Sequence, residues 1–169
     1  TPGSCYTTVT VTVNPLAPIT GTTSICQGYS VTLSNATPGG TWSSGNTAIA
    51  TISSTGVVSA LSGGAVLIKY TTPAGCIATI IVTVNPLTPI IGVSTLCQGS
   101  TTTFSNATTG GSWSSNNTSV ATIGASTGVA LGVSGGTVSI TYTTSAGCTT
   151  ATTLTVYPLA PITGVTILC

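Results

Sequence analysis

A long internal repeat is the feature that most constrains how this 169-residue chain can fold. Residues 27–76 align with residues 98–148, with one extra residue near Gly124, and 32 of the 50 aligned positions are identical. The cysteines follow the same interval and form two series: Cys5, Cys76 and Cys148, and Cys26, Cys97 and Cys169. A sequence unit of about 70 residues that recurs in this way predicts like structural units arranged along the chain.

Each repeat carries the pattern of short β-strands. Val66, Ile68 and Tyr70 alternate with other residues and therefore share one strand face, and Val138, Ile140 and Tyr142 match them in the second repeat. Pairs of glycines mark turns between such segments, and no window has helical periodicity. Short strands with frequent turns, in units of about 70 residues, predict an all-β fold of small β-sandwiches.

The prolines and the repeat together predict the domain boundaries. We expect a first domain at 15–85 and a second at 86–157, each entered through a connector with two prolines, which restrict the backbone and make the joint short and semi-rigid. Residues 1–14 then correspond to the last strand of a preceding or neighbouring unit, in which Val9, Val11 and Val13 alternate with threonines. Residues 158–169 correspond to the first strand of a following or neighbouring unit.

The near-absence of charge excludes whole classes of function. Lys69 is the one charged side chain, and there is no Asp, Glu or His. General acid–base catalysis, an activated serine or cysteine nucleophile, and Ca²⁺ or Mg²⁺ binding all depend on those missing residue types. One lysine cannot supply the phosphate contacts of a nucleic-acid-binding protein. We therefore predict no enzyme, no cofactor, no metal site and no nucleic-acid partner.

No apolar run approaches the roughly 18 residues of a membrane-spanning helix, so the sequence predicts no membrane span. The residue types that remain are those of a packed, uncharged protein, with 39 Thr and 21 Ser. The alternating Thr residues are explained by the preference of threonine for strands. A β-rich structural protein is the class that fits this composition.

Several motifs, in order, resemble bacterial immunoglobulin-like (Big-type) repeats. They are Gly-Gly-Thr-Trp-Ser-Ser at 39–44, Ala-Ile-Ala-Thr-Ile at 48–52 and Ser-Thr-Gly-Val-Val at 54–58, with counterparts at 110–115, 120–123 and 126–129. The likeness covers essentially the whole chain, and it is nearest to the tandem, cysteine-containing repeats of large secreted or surface proteins in Bacteroidetes-type bacteria. It implies tandem immunoglobulin-like β-sandwich domains with orphan terminal strands, in an extracellular or cell-surface location. The family supplies no catalytic residues.

The resemblance also gives the aromatic residues a structural role. Trp42 and Trp113 follow the paired glycines, where an immunoglobulin-like sandwich buries the tryptophan of its third strand. Tyr70 and Tyr142 lie on the predicted core faces of their strands. We expect these four aromatic residues to pack in the cores, with ligand stacking by the tryptophans as the less favoured alternative.

All six cysteines are candidates for disulfides, because their spacing lacks the close pairs of a zinc site. In the topology that the resemblance implies, Cys26 would end the first strand and Cys76 would start the last strand, at opposite poles of one domain. Cys148 would lie near the joint between the domains. We predict an interdomain Cys26–Cys148 bond, with an intradomain Cys26–Cys76 bond as the alternative. Under the first scheme the other four cysteines, Cys5, Cys76, Cys97 and Cys169, would find partners in neighbouring units.

Asn35, Asn106, Asn116 and Asn117 each begin an N-glycosylation sequon. The simpler interpretation is that these asparagines form turns. Whether any of them carries a glycan stays open at this point.

Two functions fit the sequence. The favoured one is a structural subunit of an extracellular filament, whose partners are other copies of the same chain. These are joined head-to-tail by strand addition or belong to a continuous repeat array. The alternative is a stalk or binding module of a bacterial surface adhesin that recognises an unknown surface glycan, with Tyr6, Tyr29 and Tyr157 as contacts.

Overall fold

A computed structural model describes residues 3, 7–11, 13, 15–161 and 164. These residues form eighteen β-strands and no helix. We call residues 15–85, which contain the first nine strands, unit 1. Its strands are β1 (Ile19–Thr20), β2 (Ser24–Cys26), β3 (Ser30–Thr32), β4 (Ser34–Asn35), β5 (Thr41–Ser44), β6 (Ala50–Ile52), β7 (Val57–Ala60), β8 (Gly64–Thr71) and β9 (Ile77–Asn85).

Residues 86–157, here called unit 2, repeat this order with nine further strands. They are β10 (Ile90–Ile91), β11 (Thr95–Cys97), β12 (Thr101–Thr103), β13 (Ser105–Asn106), β14 (Ser112–Ser115), β15 (Ala121–Ile123), β16 (Val129–Gly132), β17 (Gly136–Thr143) and β18 (Thr149–Tyr157).

The two units have the same sheet topology. In unit 1 a four-stranded sheet has the order β2-β9-β8-β5, a three-stranded sheet has the order β3-β7-β6, and β1 pairs with β4. Unit 2 repeats these sheets as β11-β18-β17-β14, β12-β16-β15 and β10-β13. Every strand pair is antiparallel except β2 with β9 and β11 with β18. Among the described residues, each strand pairs only within its own unit.

Alternating side chains build the core between the two main sheets of each unit. Val66, Ile68 and Tyr70 point inward from β8, and the residues between them are exposed, as the sequence pattern predicts. Val58 of β7 and Val82 of β9 complete the centre of the core and are both 0 % exposed. Unit 2 buries the corresponding residues of β17, β16 and β18. The cores are separate clusters, so each unit has its own apolar interior.

The first strand of each unit is split between two sheets. In unit 1, Ile19 and Thr20 pair with β4, whereas Ser24 to Cys26 pair with the end of β9. The chain changes sheet just after Gly21, which has a φ of 134°. A Cβ atom at Gly21 would lie 2.8 Å from the Thr32 carbonyl oxygen, so only glycine fits this crossing without displacement.

The described part of the first fourteen residues forms no strand. Residues 7–11 and 13 lack regular secondary structure, and Val9, Val11 and Val13 are 80–86 % exposed. A β-strand is defined by backbone hydrogen bonds to a partner strand. Among the described residues, no strand pairs with the segment that carries these valines. The predicted first strand within 158–169 lies mostly outside the described residues.

Candidate functional site

The joint between the two units is held by a disulfide. Cys26 ends β2 of unit 1, and Cys148 immediately precedes β18 of unit 2. The two residues are 122 positions apart in sequence, and their Cα atoms are 5.6 Å apart. The bond is the predicted interdomain pairing, and it links the start of one unit to the last hairpin of the next.

The strand register explains why the alternative Cys26–Cys76 bond does not form. Cys26 lies beside Asn85, the last residue of β9, whereas Cys76 immediately precedes Ile77, the first residue of β9. A strand of nine residues spans about 30 Å. Disulfides require Cα atoms within about 7 Å, so the two sulfurs cannot meet in the folded unit.

Gln27 attaches the connector, residues 86–89, to unit 1. Its side-chain Nε2 donates to the Leu61 carbonyl oxygen at 3.0 Å, and its Oε1 accepts from the Leu87 backbone N–H at 3.3 Å. The Gln27 backbone N–H donates to the Asn85 carbonyl oxygen at 2.8 Å. One residue therefore holds both the end of β9 and the start of the connector.

Asn106 attaches the same connector to unit 2. Its Nδ2 donates to the Thr88 carbonyl oxygen at 2.9 Å and to the Pro89 carbonyl oxygen at 3.3 Å. Its Oδ1 accepts from the Thr88 hydroxyl at 2.6 Å. The sequence alone predicts a glycosylation sequon or a turn at this asparagine. Its recurrence in both repeats was the available signal for a further role.

Asn35 binds the preceding connector in the same way. Its Nδ2 donates to the Ala17 carbonyl oxygen at 2.7 Å and to the Pro18 carbonyl oxygen at 3.3 Å. A glycan on the Nδ2 atom of Asn35 or Asn106 would compete with these hydrogen bonds. Asn116 and Asn117 are exposed and use Oδ1 as acceptor for the backbone N–H groups of Ser139 and Ser119. A glycan at any of the four asparagines stays the untested alternative to a turn-forming role.

A close contact also fixes the direction in which the connector leaves unit 1. A Cβ atom placed on Gly63 would lie 2.8 Å from the Cβ atom of Pro86. The same contact recurs at the far end of unit 2, where a Cβ atom on Gly135 would lie 3.0 Å from the Cβ atom of Pro158. The chain thus leaves both units past a glycine that a larger residue would obstruct.

An aromatic pair lies in each core. The ring centroids of Trp113 and Tyr142 are 4.6 Å apart, and those of Trp42 and Tyr70 are also 4.6 Å apart. Tyr70 and Tyr142 are 5 % and 4 % exposed, and Trp113 is 8 % exposed, whereas Trp42 is only half-buried. Trp113 packs in addition against Phe104, with centroids 6.2 Å apart, and the corresponding residue in unit 1 is the smaller Leu33.

The buried tyrosine hydroxyl of each unit is fully engaged. The Tyr142 hydroxyl donates to the Thr108 carbonyl oxygen at 2.6 Å and accepts from the Gly111 N–H at 2.8 Å. Tyr70 makes the same two bonds in unit 1, with Thr37 and Gly40. The hydroxyl therefore connects two points of the loop that precedes the tryptophan strand.

We expect Tyr142→Phe to lower the free energy of unfolding of unit 2 by about 1–3 kcal/mol, because it leaves a backbone donor and acceptor unpaired. Chemical denaturation would measure the loss. Tyr157→Phe is the matched control, since Tyr157 is 55 % exposed, and it should be nearly neutral. Equal effects of the two substitutions would contradict this role of the Tyr142 hydroxyl.

The remaining predicted residues lie outside the joint and the aromatic pairs. Lys69 is exposed on the outer face of β8. Cys76 and Cys97 carry free thiols in the structure, with Cys97 exposed and Cys76 half-buried. Cys5 and Cys169, and the interpretations that rest on them, lie outside the described residues.

The described residues do not bring together three or more side chains of the types that hold a metal ion. Within the same residues there is no helix of the length and apolarity needed to cross a membrane. What the joint offers chemically is a disulfide, two amide side chains and a proline-rich connector.

Comparison with solved structures identifies the fold. The chain superposes on the C-terminal 282-residue fragment of intimin, solved in complex with the intimin-binding domain of the translocated intimin receptor, with a TM-score of 0.59 and 14 % identity. The chain has the immunoglobulin-like fold. The match covers 84 % of this chain and 64 % of the intimin fragment, so the chain spans less than two thirds of that fragment.

Other solved structures match less well. Domains 1–6 of the surface layer protein SbsC match 79 % of this chain and 24 % of their own length, with 20 % identity and a TM-score of 0.33. Murine CEACAM1b matches 83 % of this chain and 100 % of its own length, with 12 % identity and a TM-score of 0.35. No protein-family model and no curated protein sequence matches the chain. The predicted all-β, immunoglobulin-like fold is confirmed.

Proposed function

We propose that this chain is a structural subunit of an extracellular filament built from tandem immunoglobulin-like units. The observation that carries the proposal is the joint, in which a disulfide and two amide side chains fix one unit against the next. Ordinary interdomain linkers permit relative motion of domains. A joint restrained at three points instead suits a stiff rod, which is the mechanical element that a filament needs.

The surface composition supports association of such rods. Soluble β-proteins avoid pairing through charged edge residues and a net charge. This chain has a single charged side chain, Lys69, and a formal net charge of +1. Faces covered with threonine and serine therefore meet without the electrostatic repulsion that keeps most proteins apart.

The exposed N-terminal valines support strand addition as one route to a filament. Val9, Val11 and Val13 alternate with other residues and expose most of their side chains. A segment with this alternation gains hydrogen bonds and buries apolar surface when it joins a sheet edge of a neighbouring subunit. The second route is a continuous array, in which further repeats precede and follow the two described here.

The disulfide supports the proposed location. Disulfides form and persist in oxidising compartments, which include the cell surface and the extracellular space. The joint depends on such a bond, so we place the protein outside the cytoplasm, in an extracellular or cell-surface position. No catalytic activity is part of this proposal.

Electron microscopy of the purified chain tests the proposal, and we expect uniform fibres. Because the contacts involve almost no charge, the fibres should persist from about 0.01 M to about 1 M salt, a range over which the Debye length falls from about 30 Å to about 3 Å. Fibre length measured at each salt concentration is the readout. Dissolution of the fibres by salt alone would count against uncharged contacts between subunits.

The alternative function is a stalk or binding module of a bacterial surface adhesin. Tyr29 and Tyr157 support it, since they are 60 % and 55 % exposed and could stack on a glycan. The intimin fragment with the same fold was solved with a receptor domain bound. Dispersed short rods in the micrographs, together with binding to a glycan that Tyr29→Ala or Tyr157→Ala abolishes, would favour this function over the filament.

A further inference from the structure

The two outer ends of the described chain repeat the two halves of the joint. Cys97 ends β11 beside Tyr157, just as Cys26 ends β2 beside Asn85. The first half of the joint is therefore present again at the far end of unit 2.

The second half of the joint recurs at the near end of unit 1. The Cys76 N–H donates to the Thr72 hydroxyl at 3.1 Å, and the Cys148 N–H donates to the Thr144 hydroxyl at the same distance. The Thr72 and Thr144 N–H groups each donate back to the cysteine carbonyl oxygen at 2.8 Å. Cys76 is thus held in the same turn that presents Cys148 to its disulfide partner.

The four cysteines differ in exposure. The two that form the joint should be more buried than the two that lie at the outer ends. Cys148 is 1 % exposed and Cys26 is half-buried, whereas Cys76 is half-buried and Cys97 is exposed. Each outer cysteine is more accessible than its counterpart in the joint, and within the described residues no further unit lies against either of them. Both are free thiols.

A cavity lies beside Cys76 at the near end of unit 1. It has a volume of about 490 Å³. Its lining is mostly apolar, and the residues that form it are Pro15, Thr37, Pro38, Thr72, Pro73, Ala74 and Cys76. The matching end of unit 2 is where unit 1 joins through Cys26. The cavity therefore continues an interface that already exists once in the molecule.

We propose that Cys97 of one copy of this chain forms a disulfide with Cys76 of a second copy, which extends the joint from copy to copy. The proposal rests on the filament function and names its covalent link. Both thiols lose their protons, a sulfur–sulfur bond forms, and the two electrons and two protons reduce one low-molecular-weight disulfide to two thiols. Glutathione disulfide is an oxidant of that class.

The joint within the molecule contains a single connector, residues 86–89. At a link between two copies, each copy would contribute its own connector segment, so one of the two must move aside. Residues 15–18 of the second copy are held to their own unit by the two hydrogen bonds from Asn35. Residues 158–161 of the first copy are exposed throughout, whereas the corresponding Leu87 and Thr88 are half-buried in the joint. The less restrained segment, 158–161, is therefore the one that moves aside.

The test uses the full chain in a Cys5→Ser/Cys169→Ser background, with glutathione disulfide as oxidant and non-reducing electrophoresis as readout. The background protein should give a ladder of linked oligomers. Cys76→Ser alone and Cys97→Ser alone should each stay monomeric, and their equimolar mixture should give dimers and nothing larger. Mass spectrometry of the dimer should find one Cys76–Cys97 peptide. Both substitutions are at accessible thiols, so the circular dichroism of each variant should match that of the background protein.

Several outcomes would overturn the proposal. They are a background protein that stays monomeric, a ladder that survives either single substitution, or a dimer of Cys76→Ser linked through Cys97 to Cys97. Electron microscopy separates this failure from failure of the filament. Fibres without a Cys76–Cys97 peptide would overturn the proposed disulfide and support the filament function. A Cys76–Cys97 peptide found only in closed rings would support the proposed disulfide and overturn the filament function.

Discussion

Replacement of Cys26 by serine should lower the free energy of unfolding of each unit by about 4 kcal/mol. Cys26 lies beside Asn85, the point at which the chain leaves unit 1. When unit 2 alone unfolds, the bond to Cys148 therefore closes a loop that runs from residue 85 to residue 148. Closure of a loop of that length removes about 4 kcal/mol of chain entropy from the unfolded state, and the corresponding loop in unit 1 is of similar length.

Denaturant titration under non-reducing conditions measures this loss. Cys26 is the better position to change, because it is half-buried, whereas serine at the fully buried Cys148 would add the cost of a buried hydroxyl. Cys97→Ser is the matched control, since it is the repeat equivalent of Cys26 and carries a free thiol. It should change the stability of a monomeric sample by less than about 0.5 kcal/mol. An equal loss in both variants would contradict the loop argument.

Replacement of Trp113 by alanine should destabilise unit 2 by about 3–5 kcal/mol, enough to unfold many domains of this size. The indole is 8 % exposed and packs between the rings of Tyr142 and Phe104. Its removal leaves a cavity that the sheets on either side cannot close without losing their register. Denaturation followed by far-ultraviolet circular dichroism measures the effect on unit 2.

Trp42→Ala in unit 1 is the paired comparison. Trp42 occupies the same strand position but is half-buried and lacks an aromatic neighbour at position 33. The loss should therefore be smaller than in unit 2. Each unit has one tryptophan, so the fluorescence of the remaining indole reports the unit that was not changed. A larger loss from Trp42→Ala would reverse the order that burial predicts.

The sequence predicts much of this fold because its local patterns are regular. The alternation of Val66, Ile68 and Tyr70 predicts one buried strand face, and the structure buries all three. The bond between Cys26 and Cys148 could be predicted because it depends only on where the first strand ends and the last strand starts in an immunoglobulin-like topology. The split of the first strand between two sheets could not be predicted, because it depends on the close passage of Gly21 beside the Thr32 carbonyl oxygen, a contact of the folded backbone that no local sequence pattern encodes.

The hydrogen bonds from amide side chains to the connector could not be predicted from the sequence either. Gln27 and Asn106 act through hydrogen bonds to backbone atoms of the connector, and any backbone offers such atoms. Which of them is reached depends on where the folded units place the side chain. The unequal burial of Trp42 and Trp113 has a similar origin, because it follows from Leu33 in one core and Phe104 in the other.

The disulfide of the joint determines how tension would pass through the molecule. A pull on the two ends of the chain runs along the backbone to Cys26, crosses the sulfur–sulfur bond and continues from Cys148. Residues 27–147 lie inside the closed loop and are relieved of the load. The strands that a pull could peel directly are β1, β2 and β18, at the outer ends of that path. The disulfide therefore limits how far a pull can extend the chain, even if both hydrophobic cores unfold.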